Sequence, residues 1–162
     1  MNNGKICISI SAPTASEMLA AAKRAQADAD IIELRFDALR ADELPLAIVI
    51  VREASLLKPV IATFRSPEQG GCRHDLSRQK RLEFWSDIGD VAWARDLEED
   101  IVADAASGTT IVSFHDFSGK ADILERLVSL SNTDADIIKI AVATDDICDA
   151  LPVWSTLKKP LA

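Results

Sequence analysis

A chain of 162 residues that is 48% hydrophobic, with six glycines and six prolines, holds enough apolar material for one core and lacks the composition of a disordered segment. Its formal charge of −8 argues against nucleic acid or an acidic membrane as partner, so any bound anion must be met by locally gathered Arg and Lys. Three cysteines, Cys7, Cys72 and Cys148, without CxxC or Cys/His ligand spacing, fit reduced thiols in a cytoplasm better than disulfides or zinc.

The N-terminus runs directly into Ile6-Cys7-Ile8-Ser9-Ile10, an apolar run too short for a signal peptide or a membrane span. Strand-like runs are expected at 5–10, 30–36, 59–64, 91–97, 109–115 and 135–142. Helical segments are expected between and after them, at about 14–28, 42–57, 75–88, 98–107, 119–131 and 144–158. Thr14-Ala15-Ser16-Glu17 has capping-box spacing, Thr144-Asp145-Asp146 is placed to cap the last helix, and Pro152 is expected to bend it. No linker or low-complexity tract divides the chain, so residues 1–162 read as one α/β domain with a parallel sheet, either open or closed into a barrel.

Polar residues on the strands favour the barrel. In Ile31-Ile32-Glu33-Leu34-Arg35-Phe36-Asp37 the charges fall at alternate positions and share one face of an otherwise apolar strand. Similar layouts close the later strands: Thr63-Phe64-Arg65, Asp96-Leu97-Glu98 and Ser113-Phe114-His115. In a (β/α) barrel, inward side chains at the C-terminal strand ends converge on one pocket. The rival, an open sheet with a phosphate-binding first turn, lacks its signature, because Ser11-Ala12-Pro13-Thr14 is neither GxGxxG nor a Walker pattern.

Lys139, in Ile138-Lys139-Ile140-Ala141-Val142, is the strongest single candidate, since burial among Ile, Ala and Val would make its amine nucleophilic. Taken alone, most other residues have plain structural readings. A strand histidine such as His115 is more often a hydrogen-bonded structural residue than a catalyst. Glu33 and Arg35 read as an ion pair holding the barrel floor, and Asp96 and Glu98 as partners of the arginines or the start of the next helix. Trp85, Trp93 and Trp154 read as core or helix-packing residues, not a base-stacking platform.

Taken together, Glu33-Leu34-Arg35-Phe36-Asp37, Thr63-Phe64-Arg65-Ser66 followed by Gly70-Gly71, Ser113-Phe114-His115-Asp116-Phe117 and Ile138-Lys139-Ile140-Ala141-Val142 resemble type I 3-dehydroquinate dehydratase, the Schiff-base enzyme of the shikimate pathway. The resemblance spans nearly the whole chain, and the combination is far more specific than any one motif. It implies the (β/α)8 TIM-barrel family, usually dimeric, with no metal or organic cofactor. It also implies that Lys139 forms an iminium with the ketone of 3-dehydroquinate. His115 then removes the C2 proton and returns one to the departing hydroxyl, a net syn loss of water giving 3-dehydroshikimate. Ser9, Glu33, Arg35 and Arg65 stand at substrate-contact positions, the last three to hold ring hydroxyls and tune the charge around Lys139.

The chain departs from the family pattern in two places. Gln69, with Glu68 before it, stands where the family most often has Glu ahead of Gly-Gly, a residue expected to orient His115. The chain also reads as about six βα units, an incomplete barrel whose last residues, Lys158-Lys159-Pro160-Leu161-Ala162, resemble the lead-in to a seventh strand. Six strands leave the first and sixth with open edges, which a second polypeptide or a second copy of the chain would cover. Beside the dehydratase reading stand two others: an inactive remnant or split subunit of that enzyme, and a different Schiff-base aldolase. The aldolase is disfavoured by the ring-hydroxyl set Glu33, Arg35 and Arg65.

Overall fold

The computed structural model describes residues 4–157, so the expected lead-in to a seventh strand at 158–162 lies outside the described residues. Six strands form: β1 (Cys7–Ile10), β2 (Ile31–Arg35), β3 (Val60–Thr63), β4 (Ala94–Glu98), β5 (Thr109–Asp116) and β6 (Ile137–Val142). They pair in parallel in chain order, from β1 at one edge to β6 at the other. The helices are α1 (Ala15–Ala25), α2 (Ala47–Ser55), α3 (Arg78–Ile88), α4 (Glu99–Ala105), α5 (Ile123–Ser131) and α6 (Leu151–Leu157).

Local sequence accounts for these boundaries. The Thr14 hydroxyl accepts from the Glu17 backbone N–H and donates to the Glu17 carboxylate, starting α1. Ser77 caps α3, and Asp122 caps α5 by accepting from Leu124 and Glu125. The expected helix at 42–57 is divided: Leu44–Leu46, containing Pro45, forms a tight 3-10 turn before α2. The last helix is capped by Asp146, not Thr144, in a reciprocal pair with Asp149. Its 3-10 turn (Ile147–Ala150) leads into α6, whose second residue is Pro152, where no interior hydrogen bond is lost and no bend is needed. In the fourth strand, a 3-10 turn at Gly89–Val91 delays the start, so Glu98 ends β4 and is the N-cap residue of α4.

Strand alternation sorts the side chains onto two faces. Ile32, Leu34, Val60, Ala62, Leu97 and Val112 are fully buried toward the helices, where Met18, Ile50, Trp85, Ile88, Ile101 and Leu130 join one core cluster. Of the tryptophans only Trp85 is in the core; Trp93 and Trp154 are 43% and 61% exposed, contrary to the packing positions expected for them.

The opposite face carries the charges, and the sheet curls around it. Lys139 on β6 reaches within 3.6 Å of Glu33 on β2 across three intervening strands. A flat sheet would hold those positions about 19 Å apart at ordinary strand spacing. The architecture is a curled half-barrel of six parallel strands with helices outside, in which β1 and β6 do not pair with each other.

Candidate active site

The concave face is assembled by register. Ser9 on β1 pairs with Glu33 on β2, Thr63 on β3 with Asp96 on β4, and Glu98 with Ser113 and Ser113 with Lys139 across β4, β5 and β6. His115 lies two residues beyond Ser113, on the same face and one step nearer the C-terminal strand ends.

Asp96 is at the centre. Its carboxylate is fully buried and accepts from three donor groups, one on each of three side chains. Oδ1 faces the Arg65 guanidinium at 3.0 Å and the Ser113 hydroxyl at 2.5 Å, while Oδ2 accepts from the Lys139 ammonium at 3.0 Å. Burial opposes ionisation of Asp96, but Arg65 and Lys139, with the Ser113 hydroxyl, outweigh it and hold the carboxyl below its ordinary range.

Lys139 therefore lies between two acids. Glu33 faces it at 3.6 Å, and the oxygen concerned, Oε1, is itself held by the Thr63 hydroxyl at 2.7 Å. The Lys139 side chain is 39% exposed, because β6 is the last strand of the sheet and the concave face opens beside it. The deep apolar burial read from its neighbours is not found: Ile138 and Ile140 point to the helix side, and the partners on the amine's own face are carboxylates.

Arg65 and Arg35 are both committed to internal partners. Arg65, 2% exposed, donates to Ser113 at 2.5 Å and lies 3.0 Å from Asp96 and 3.5 Å from Glu98. Arg35 makes a two-pronged pair with Asp37, both contacts 2.8 Å, and not with Glu33. Asp37 also accepts from the backbone N–H groups of Arg65 and Cys72; burial works against its charge, yet Arg35 and these donors lower its pKa. Glu98 accepts from the Ser66 backbone N–H at 2.9 Å and from Arg81 of α3 at 2.6 Å. Burial nevertheless pushes the Glu98 carboxyl up. Asp37, Thr63, Ser113 and Arg81 are absent from the candidates the sequence singles out as site residues. Asp37, Thr63 and Ser113 carried a signal in their alternate-residue spacing from Arg35, Arg65 and His115, whereas Arg81 sits in a helix of mixed polarity and carried none.

His115 is half-buried, and its Nδ1 is buried with no hydrogen-bond partner among the described residues. Burial, reinforced by the positive charges of Arg65 and Lys139, lowers its pKa from 6.5 to about 4. The imidazole is thus neutral at pH 7 and free to accept a proton. Gln69 makes no hydrogen bond to the ring. Its Oε1 accepts from the His115 backbone N–H at 2.6 Å, tying the loop after β3 to the end of β5. Gly70 and Gly71 permit this approach: Gly70 has φ +81 with the Phe117 ring against it, and a Cβ on Gly71 would fall 2.1 Å from the Arg65 carbonyl oxygen. Ser9 is exposed at the open side of the same face. Among the described residues, no group of three or more His, Cys, Asp or Glu side chains is arranged to hold a metal ion.

The lowered His115 pKa fixes the sign of a pH effect. A group that folds with a pKa below its unfolded value binds fewer protons in the fold, so its contribution is complete above about pH 6.5 and is lost as pH falls toward 4. An NMR titration of the His115 ring is expected to give a midpoint well under 6, and urea unfolding of the His115→Gln variant a shallower loss of stability between pH 6.5 and 4. A midpoint at or above 6.5 would contradict the assignment.

The chain matches a known family over nearly its full length. A family model described as type I 3-dehydroquinase matches residues 6–160. The 3-dehydroquinate dehydratase of Methanothermobacter thermautotrophicus is 34% identical over 96% of this chain and 73% of its own length. That of Methanothrix thermoacetophila is 34% identical over 84% of this chain and 61% of its own. Among solved structures, the type I 3-dehydroquinate dehydratase of Clostridium difficile, solved with covalent modified comenic acid, superposes with a TM-score of 0.82 at 26% identity. It covers 94% of this chain, and the chain covers 68% of it. The Geobacillus kaustophilus enzyme superposes with a TM-score of 0.84 at 22% identity and shares the fold. The chain thus spans between 61% and 73% of the length of these relatives. With a half-barrel whose concave face gathers Lys139, Asp96, Arg65 and His115, and with these matches, the chain belongs to the type I 3-dehydroquinase family.

Proposed function

We propose that this chain carries the Schiff-base machinery of a 3-dehydroquinate dehydratase, a hydro-lyase acting on a cyclic β-hydroxyketone. The observation that carries the reading is one solvent-open concave face that presents a lysine amine, held by Asp96 and Glu33, together with a neutral histidine whose Nδ1 has no hydrogen-bond partner among the described residues. In this reading the Lys139 amine, after giving up its proton, attacks the ketone carbon. Loss of water then leaves an iminium that draws in the electrons of the C2–H bond. His115 takes the C2 proton, and as the C1–OH bond breaks its imidazolium returns a proton to the leaving hydroxide, which departs as water. Hydrolysis of the product iminium releases 3-dehydroshikimate and restores the amine. The lowered pKa of His115 suits both roles, since the ring starts as a base and becomes a strong acid once protonated.

Ser9 and Glu33, with Arg35 at the rim, are the groups this reading assigns to the ring hydroxyls. Arg65, enclosed by Asp96, Glu98 and Ser113, acts mainly as the positive charge that stabilises Asp96 and keeps His115 neutral. Gln69 supports the His115 backbone, and Glu98 anchors Arg65. The same reading places the protein in the cytoplasm, supported by three free cysteines, and in the shikimate pathway of aromatic amino acid biosynthesis. Among the described residues no helix is long and apolar enough to cross a membrane.

In steady-state assays with 3-dehydroquinate, Lys139→Ala is expected to abolish turnover. His115→Ala is expected to lower kcat by roughly 10²–10⁴-fold. Full activity in either variant would reject these roles.

Assembly follows from the open sheet. Among the described residues the outer edge of β6 has no strand partner, and Ile137, Ile147, Leu151, Trp154 and Leu157 are exposed on and beyond it, which supports self-association of the chain. Sedimentation velocity is expected to show a species heavier than 17.6 kDa whose share grows with concentration. A single monomer boundary across the range would remove the proposal.

A further inference from the structure

We infer that Ser113 is a positioning residue for the Lys139 amine, acting through the Asp96 carboxylate; the inference rests on the reading of Lys139 as the imine-forming group. Ser113 is 1% exposed and stands between Glu98 and Lys139 in register. Its hydroxyl accepts from Arg65 Nη1 at 2.5 Å and donates to Asp96 Oδ1 at 2.5 Å. A hydroxyl is the small side-chain group able to accept from a guanidinium and donate to a carboxylate at once, and alanine can do neither.

The two carboxylates beside the amine are held differently. Thr63 donates to Glu33 Oε1, the same oxygen that faces Lys139, and so competes with the amine for it. Ser113 binds Asp96 Oδ1 while Lys139 takes Oδ2, so the serine fixes the plane of the carboxylate without occupying the oxygen the lysine uses. Arg65 Nη2, also on Oδ1 at 3.0 Å, supplies charge on the same side. With the hydroxyl removed, Arg65 alone holds Oδ1, the carboxylate turns about its Cβ–Cγ bond, and Oδ2 no longer points at Nζ. The plainer role, a strand serine satisfying the Leu97 carbonyl, is met by a longer contact of 3.3 Å.

The test is a double-mutant cycle of Ser113→Ala and Asp96→Asn, with two readouts. In turnover of 3-dehydroquinate, Ser113→Ala is expected to lower kcat roughly tenfold, as loss of a hydrogen bond to a charged group implies, with KM nearly unchanged. The second readout needs no turnover. Acetic anhydride at fixed pH labels lysines in competition, and peptide mass spectrometry gives the ratio of Lys139 to the exposed Lys23 of α1. That ratio is expected to change by about threefold or more in Ser113→Ala and in Ser113→Cys, which is close in volume. Ser113→Ala should add nothing in the Asp96→Asn background. An unchanged ratio, or the same Ser113→Ala effect with and without Asp96, overturns the inference. A wild-type chain that turns over no substrate while the labelling cycle behaves as stated would sink the dehydratase reading and leave the Ser113–Asp96–Lys139 linkage standing.

Discussion

A carboxylate buried on the concave face of a parallel sheet is the constraint around which this site is organised. Asp96 has no solvent to stabilise its charge, so the fold must bring positive groups to it. Arg65 arrives from just beyond β3 and Lys139 from β6, and the curl of the sheet brings β6 in. Arg65 is itself buried and needs Glu98, which in turn needs Arg81 from α3, whose other partner is Asp100 at the surface. The alternation of signs runs from the concave face to the outside of the molecule. Removing one member strands its neighbour in a medium where an unpaired charge costs on the order of 3–5 kcal/mol.

That network gives Lys139 and His115 different surroundings. Carboxylates surround the lysine and place its amine, while the positive charges they balance, together with burial, strip the proton from His115. An amine and a neutral base on one open face are what carbanion chemistry beside a ketone requires. The half-barrel gathers these groups from β2 to β6, so the proposed catalytic pair and its electrostatic support lie within the described residues.

The six strands and the polar residues at their ends were legible because period-two alternation is strong where one face is apolar and the other charged. The same pattern marked Glu33, Asp96, Ser113 and His115 as polar-face residues, and strand register sets Lys139 beside Ser113. Pairing was not legible. Nothing local tells Arg35 to choose Asp37 two residues away over Glu33, a choice made by the 3-10 turn that carries Asp37 back toward the guanidinium. Likewise, apolar neighbours made Lys139 read as buried, but neighbours in sequence point to the other side of a strand, and among the described residues β6 lies at the sheet edge, which leaves the amine's face open. Gln69 reads as an orienting group for the imidazole, yet the glycines after it bring it to the backbone instead.

The most direct measurement is intact-protein mass spectrometry after incubation with 3-dehydroquinate and sodium borohydride, followed by peptide mapping. The account predicts a reduced covalent adduct located at Lys139 and missing from the Lys139→Ala variant. A folded wild-type chain that yields no adduct, or yields it equally in the variant, would contradict the claim that this face holds an imine-forming lysine.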